Sequence, residues 1–120
     1  MIEPPIRIDI AELDGSTCLA SVAGRLDSAT VPTIEETLLA PIRRGQGVVY
    51  DLADLSYISA AGVRLIVAAV RRAEATQARV AFTHVPAEIA ETLSVSGFAM
   101  FLSIFDSRDQ AVAHVRGGGA

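Results

Sequence analysis

A chain of 120 residues, 51% hydrophobic and 20% charged, fits one packed domain and excludes a disordered segment. The net charge of −4 argues against a nucleic-acid surface, and the single cysteine excludes an internal disulfide. The longest apolar run, 60–70, is interrupted by Arg64 and falls well short of the about 20 residues a bilayer span requires. The start, MIEPPIR, has no apolar signal segment. A cytoplasmic protein without direct membrane insertion is the expectation.

Ile6, Ile8 and Ile10 alternate with Arg7 and Asp9, the period of a half-buried strand. Asp14-Gly15-Ser16 supplies a turn, and Cys18 to Gly24 a second strand, the hairpin partner of the first. In that apolar run Cys18 is expected as a buried thiol, not a nucleophile. Asp27-Ser28-Ala29-Thr30 follows as a polar loop. Thr30 is placed to cap a first helix, with Pro32 in its opening turn and Pro41 at its end. Ile34, Leu38 and Leu39 mark the inner side of that helix, and Glu35 and Glu36 its outer side.

Val48 to Leu52 is nearly all apolar and predicts a central third strand covered on both faces. Asp54, Ser56 and Tyr57 read as a short turn into a second helix, from about Ala60 to Ala75. Its predicted core stripe is Val63, Ile66, Val67 and Val70, with Arg71, Arg72 and Glu74 in water. The Arg43-Arg44 pair is likewise read as a solvated face. Arg79 to Thr83 predicts a fourth strand. Pro86 suits the first turn of a third helix, with Ile89 and Leu93 inward and Gly97 as its stop. Phe101 to Phe105 fits a last strand, and Asp106 or Ser107 can cap a final helix holding Ala111, Val112 and Val115. The domain is expected over 1–116, followed by a flexible Gly-rich tail over 117–120. The order predicts an α/β fold opening with a β-hairpin, a mixed, mainly parallel sheet of about five strands with about four helices.

If those strands are parallel, Asp27, the Ser56–Gly62 segment and His84-Val85-Pro86 gather at one sheet edge, where open α/β folds place ligands. Ser59 fits the N-cap of the second helix, worth about 1 kcal/mol. Gly62 inside a helix costs about 1 kcal/mol relative to Ala, so close backbone approach by the sheet or by a partner is the expected compensation. Tyr57 fits an interface aromatic or a core lid. Arg64 fits a contact to an acidic partner or a solvated cation. Catalysis finds no support. There is no G-x-S-x-G, P-loop, G-x-G-x-x-G or metal-ligand spacing, and His84, His114 and Cys18 are scattered. No catalytic residue, cofactor or metal is expected.

Four segments together resemble a known family. They are Gly24-Arg25-Leu26-Asp27 with Thr30, Val48-Val49-Tyr50-Asp51-Leu52, Tyr57-Ile58-Ser59-Ala60-Ala61-Gly62-Val63, and Ser96-Gly97-Phe98. In this order and spacing the chain resembles the STAS domain of bacterial anti-sigma factor antagonists over nearly its whole length. The resemblance implies a non-enzyme that binds an anti-sigma factor, often a serine kinase, and so frees a sigma factor. It implies a partner surface of Asp27, Ser28, Thr30, Ser56, Tyr57, Ser59, Ala60, Ala61, Gly62 and Arg64. In the family the kinase can phosphorylate a serine in this turn and break the complex. Aligned on Gly62, that acceptor position is Ala60, which has no hydroxyl, and Ser59 is the one surrogate. A monomer or weak dimer is expected. STAS domains also serve as scaffold subunits of stress-signalling assemblies and as parts of membrane transporter complexes, so fold alone does not fix the use. Nucleotide binding at the helix edge would lack a phosphate loop.

Overall fold

Alternating isoleucines and a D-G-S turn produce the opening antiparallel hairpin, β1 (Ile6–Asp14) and β2 (Thr17–Leu26). The computed structural model describes residues 4–117; all but the first residue of the expected 117–120 tail therefore lies outside the described residues. Gly117 itself is held, its amide donating to the carbonyl of His114 at 3.1 Å.

The rest of the chain alternates. It runs through α1 (Val31–Leu39), β3 (Gly47–Asp51), β4 (Leu55–Ile58), α2 (Ala60–Thr76) and β5 (Arg79–Thr83). It ends with α3 (Ala87–Val95), a 3-10 turn (Ala99–Phe101), β6 (Ile104–Phe105) and α4 (Arg108–Val115). The main path of the sheet is β1-β2-β3-β5-β6, with β2, β3, β5 and β6 parallel. Every residue of β3 is buried, as its apolar run predicts for a central strand. One face packs on α1, α2 and α3 around Val48, Tyr50, Phe82, Leu26 and Leu38. The other face, Leu19, Val49 and Ala81, is covered by Ala111 and Val115 of α4. Fully buried Tyr50 stacks on Phe82 at 5.5 Å and donates its hydroxyl to the Leu38 carbonyl at 2.6 Å. That bond removes the cost of an unpaired phenol in the core.

Four expectations need correction. The polar turn after β3 is a sixth strand: Leu55 and Ile58 of β4 are buried, while Ser56 and Tyr57 point outward. It exists because β2 is ten residues long and outlasts β3, which pairs only with Thr17–Ser21. β4 takes the remainder, Gly24–Leu26, again in parallel. Second, the buried face of α2 is Gly62, Val63, Leu65, Ile66, Ala69 and Ala73, so Val67 and Val70 lie at its margin. Third, only Ile104–Phe105 of the expected last strand pairs in the sheet. Gly97 at φ +81° ends α3, and Phe101 and Leu102 then donate to the carbonyls of Phe98 and Ala99. Fourth, Thr30 and Ser59 occupy N-cap positions without side-chain capping bonds, whereas Ser107 does cap α4, accepting from the amide of Gln110 at 3.2 Å.

Candidate functional site

The last paired residues of β2 and β4, Leu26 and Ile58, stand side by side, so Asp27 and Ser59 leave the sheet together. The Ser59 amide donates to the Leu26 carbonyl at 2.9 Å, fastening the entry of α2 to the end of β2. Gly62 explains how close that approach is. A Cβ built on it would meet the Leu26 carbonyl oxygen at 2.5 Å and Cγ1 of Ile58 at 2.7 Å. The close approach of the sheet by itself requires this glycine.

The loop after β2 is held from within. The Asp27 carboxylate accepts from the amides of Ala29 at 3.0 Å and Thr30 at 3.1 Å. The Thr30 hydroxyl donates to the Arg25 carbonyl at 2.7 Å and accepts from the Asp27 amide at 2.9 Å. Arg25 adds a looser ion pair to Asp27 at 3.7 Å and lays its guanidinium over the Tyr57 ring, 4.2 Å from the centroid. Arg25 was absent from the sequence-derived set. Its role depends on the Arg25–Tyr57 register, which exists only because β4 pairs with β2.

Electrostatics agree with the hydrogen bonds. Desolvation pushes the Asp27 carboxyl upward, but the Thr30 and Ala29 amides, the Thr30 hydroxyl and the Arg25 charge outweigh it and hold the group below its ordinary 3.8. A depressed carboxyl stabilises the fold fully above its unfolded value and loses that contribution as pH falls through the folded value. The melting-temperature difference between wild type and Asp27→Asn should therefore stay constant from neutrality to about pH 5 and shrink below about pH 4. A difference independent of pH across that range would show that the carboxylate charge does not hold the loop.

Of the sequence-derived residues, Ser28, Ser56, Tyr57, Ala60 and Arg64 are exposed, and Asp27, Ser59 and Ala61 are intermediate. Tyr57, 41% exposed, is a surface aromatic and not a lid. Ser56 donates its hydroxyl to the Gly24 carbonyl at 3.0 Å. Thr30 and Gly62 are buried beneath these exposed residues. The Ser59 hydroxyl is buried and bonded to nothing. At the start of α2 the backbone amides carry the positive end of the helix dipole, and no acidic residue lies in the first turn.

His84 does not join this group. It lies beyond Thr83, whose partner Asp51 is level with Ser21 of β2, five residues before Leu26. That is about 16 Å along the strand at about 3.3 Å per residue. There Nδ1 of His84 is 3.1 Å from Oδ2 of Asp51, and Arg108 approaches the same oxygen at 3.6 Å. Among the described residues no His, Cys, Asp and Glu cluster is arranged to hold a metal, and no helix is long and apolar enough to cross a membrane.

Comparison with known proteins places the fold. The STAS domain profile matches residues 7–111. The chain belongs to the STAS domain family. A Bordetella bronchiseptica protein provisionally named anti-sigma factor antagonist BtrV is 28% identical over 109 residues, 90% of this chain and 93% of that one. The STAS fold is shared with the anti-sigma factor antagonist SpoIIAA in its unphosphorylated form, at TM-score 0.74 and 19% identity, covering 92% and 97% of the two chains. It also recurs in the murine anion transporter Slc26a9, at TM-score 0.75 and 13% identity, where the match spans 89% of this chain and 19% of the transporter.

Proposed function

We propose that this STAS domain is an anti-sigma factor antagonist that acts by occupancy alone. It binds an anti-sigma factor through the exposed turn at the start of α2 and the adjoining Asp27 loop, and so releases a sigma factor. No chemical step is needed, and the domain is not an enzyme. The observation that carries this reading is Ala60: an exposed, uncharged methyl at a helix start, beside a loop held by internal bonds. A preformed surface loses little entropy on docking. The resemblance to BtrV supplies the class of partner. The reading places the protein in the cytoplasm, where sigma factors act, as a monomer or weak dimer.

The decisive test starts with affinity capture from the native lysate and identification of the captured protein by mass spectrometry. That protein, purified with its sigma factor, should surrender the sigma factor when this domain is added, as followed by size-exclusion chromatography. Retention of the sigma factor would refute the function. The fold is also used in Slc26a9, and the domain carries exposed Val95, Met100 and Phe101, so a subunit role in a larger assembly is the competing reading. A very large native species would favour it, and a small one the regulator.

The turn should resist phosphorylation. Ala60 offers no oxygen, and the Ser59 hydroxyl has no solvent access for an incoming phosphoryl group. Incubation with the captured partner and ATP should leave the intact mass unchanged. A stoichiometric gain mapped to Ser59 would require the start of α2 to open, and would overturn this assignment.

A further inference from the structure

The outer face of α2 continues away from the turn as a stripe: Ala60, Arg64, Val67 with Ala68, then Arg71. Beside it runs a groove between α2 and the segment that follows α3. One part, of about 350 Å³, is lined by Arg64, Val67, Ala68, Arg71 and Phe98. The next, of about 270 Å³, shares Val67, Arg71 and Phe98, and adds Val70, Phe101 and Leu102 with Glu74 at its end. Val95, Met100 and Phe101 are 82%, 83% and 64% exposed, a concentration of large apolar side chains that the core does not explain. Arg64 and Arg71 make no ion pair or side-chain hydrogen bond among the described residues. They stand seven positions apart, two helical turns, or about 10.5 Å along the axis at about 1.5 Å per residue.

We propose that this groove is a second docking site, which takes an amphipathic helix of the anti-sigma factor bearing two acidic residues seven positions apart. It rests on the proposed function, whose turn surface it extends along the same helix face. The partner helix lays apolar residues on Val67, Phe98 and Phe101, and its two carboxylates meet Arg64 and Arg71. Glu74 at the far end selects a basic residue one turn beyond the second acid. The charge order along the groove fixes direction as well as identity.

The test uses two synthetic helical peptides of about 18 residues, with leucines on one face and either Glu or Lys at the seven-spaced positions. By amide chemical-shift mapping the Glu peptide should perturb Val67, Phe98 and Phe101. The double variant Arg71→Glu with Phe101→Ser should bind it at least about tenfold more weakly. Equal binding of both peptides, or shifts elsewhere, would overturn the charge-selective site. So would self-association in sedimentation that Phe101→Ser abolishes, because a second copy would then be the occupant. With the captured anti-sigma factor, a loss caused by Ala60→Glu but not by the double variant removes the groove and leaves the turn. No loss from either removes the reading on which the groove depends.

Discussion

Ala60→Glu is expected to lower affinity for the proposed anti-sigma factor partner by at least about a hundredfold, roughly 2.7 kcal/mol, with the melting temperature almost unchanged. Two effects of opposite sign meet at one position. In the free domain the new carboxylate sits at the start of a 17-residue helix whose first turn has no acidic residue, so the dipole favours it by about 0.3–1 kcal/mol. The exposed position leaves room for the longer side chain. In the complex the same group is bulky and, without a cationic partner, buried at a cost of several kcal/mol. Calorimetric titration against the captured partner separates these terms. Wild-type affinity would take the turn out of the interface. Ala60→Ser should bind almost normally, and a kinase partner should phosphorylate it, since that hydroxyl alone in the turn would be both exposed and correctly placed.

Gly62→Ala is expected to destabilise the fold by about 1–3 kcal/mol and lower the melting temperature by roughly 5–10 °C. Helix propensity argues the other way, since Ala is favoured over Gly by about 1 kcal/mol inside a helix. The steric term wins because the nearest atom, the Leu26 carbonyl oxygen, belongs to the backbone and is already tied to the Ser59 amide. A flexible side chain could swing aside; this carbonyl cannot. The helix start must lift, which also displaces Ala60, so affinity falls with stability. Thermal melts followed by circular dichroism decide the matter, and a stabilised variant would show that α2 does not bear on β2 as described.

Much of this could be read from local pattern. The apolar run at Val48–Leu52, the alternation at Ile6–Ile10 and the Gly97 stop each depend on neighbours a few residues away, and the hairpin, central strand and third helix appeared where expected. β4 was invisible for a physical reason. Its four residues have only Leu55 and Ile58 turned inward, and its partner is the far end of β2, more than thirty residues earlier in the chain. Arg25 stayed hidden with it, because a cation over an aromatic ring is a matter of register, not of spacing. The inner face of α2 was misjudged by about one position because apolar residues ring its first half, and periodicity carries little information where nearly every position is apolar. Thr30 and Ser59 show a subtler limit. Sequence placed them at helix starts, but backbone geometry decided whether their hydroxyls capped, bridged or were left unbonded.

The ten-residue β2 holds two strands in succession, and this divides labour within one sheet. β3 pairs with the first stretch and β5 with β3, all within the core, so a change there disturbs everything packed on both faces. β4 borrows only the last three residues, and its outward side chains, Ser56 and Tyr57, stay outside the core. Descendants of such a domain are free to exchange the exposed Ser56, Tyr57 and Ala60 without renegotiating the architecture beneath. The recurrence of this fold in an anti-sigma factor antagonist and in an anion transporter fits that mechanics: the domain has a balcony that can be refurnished while the house stands.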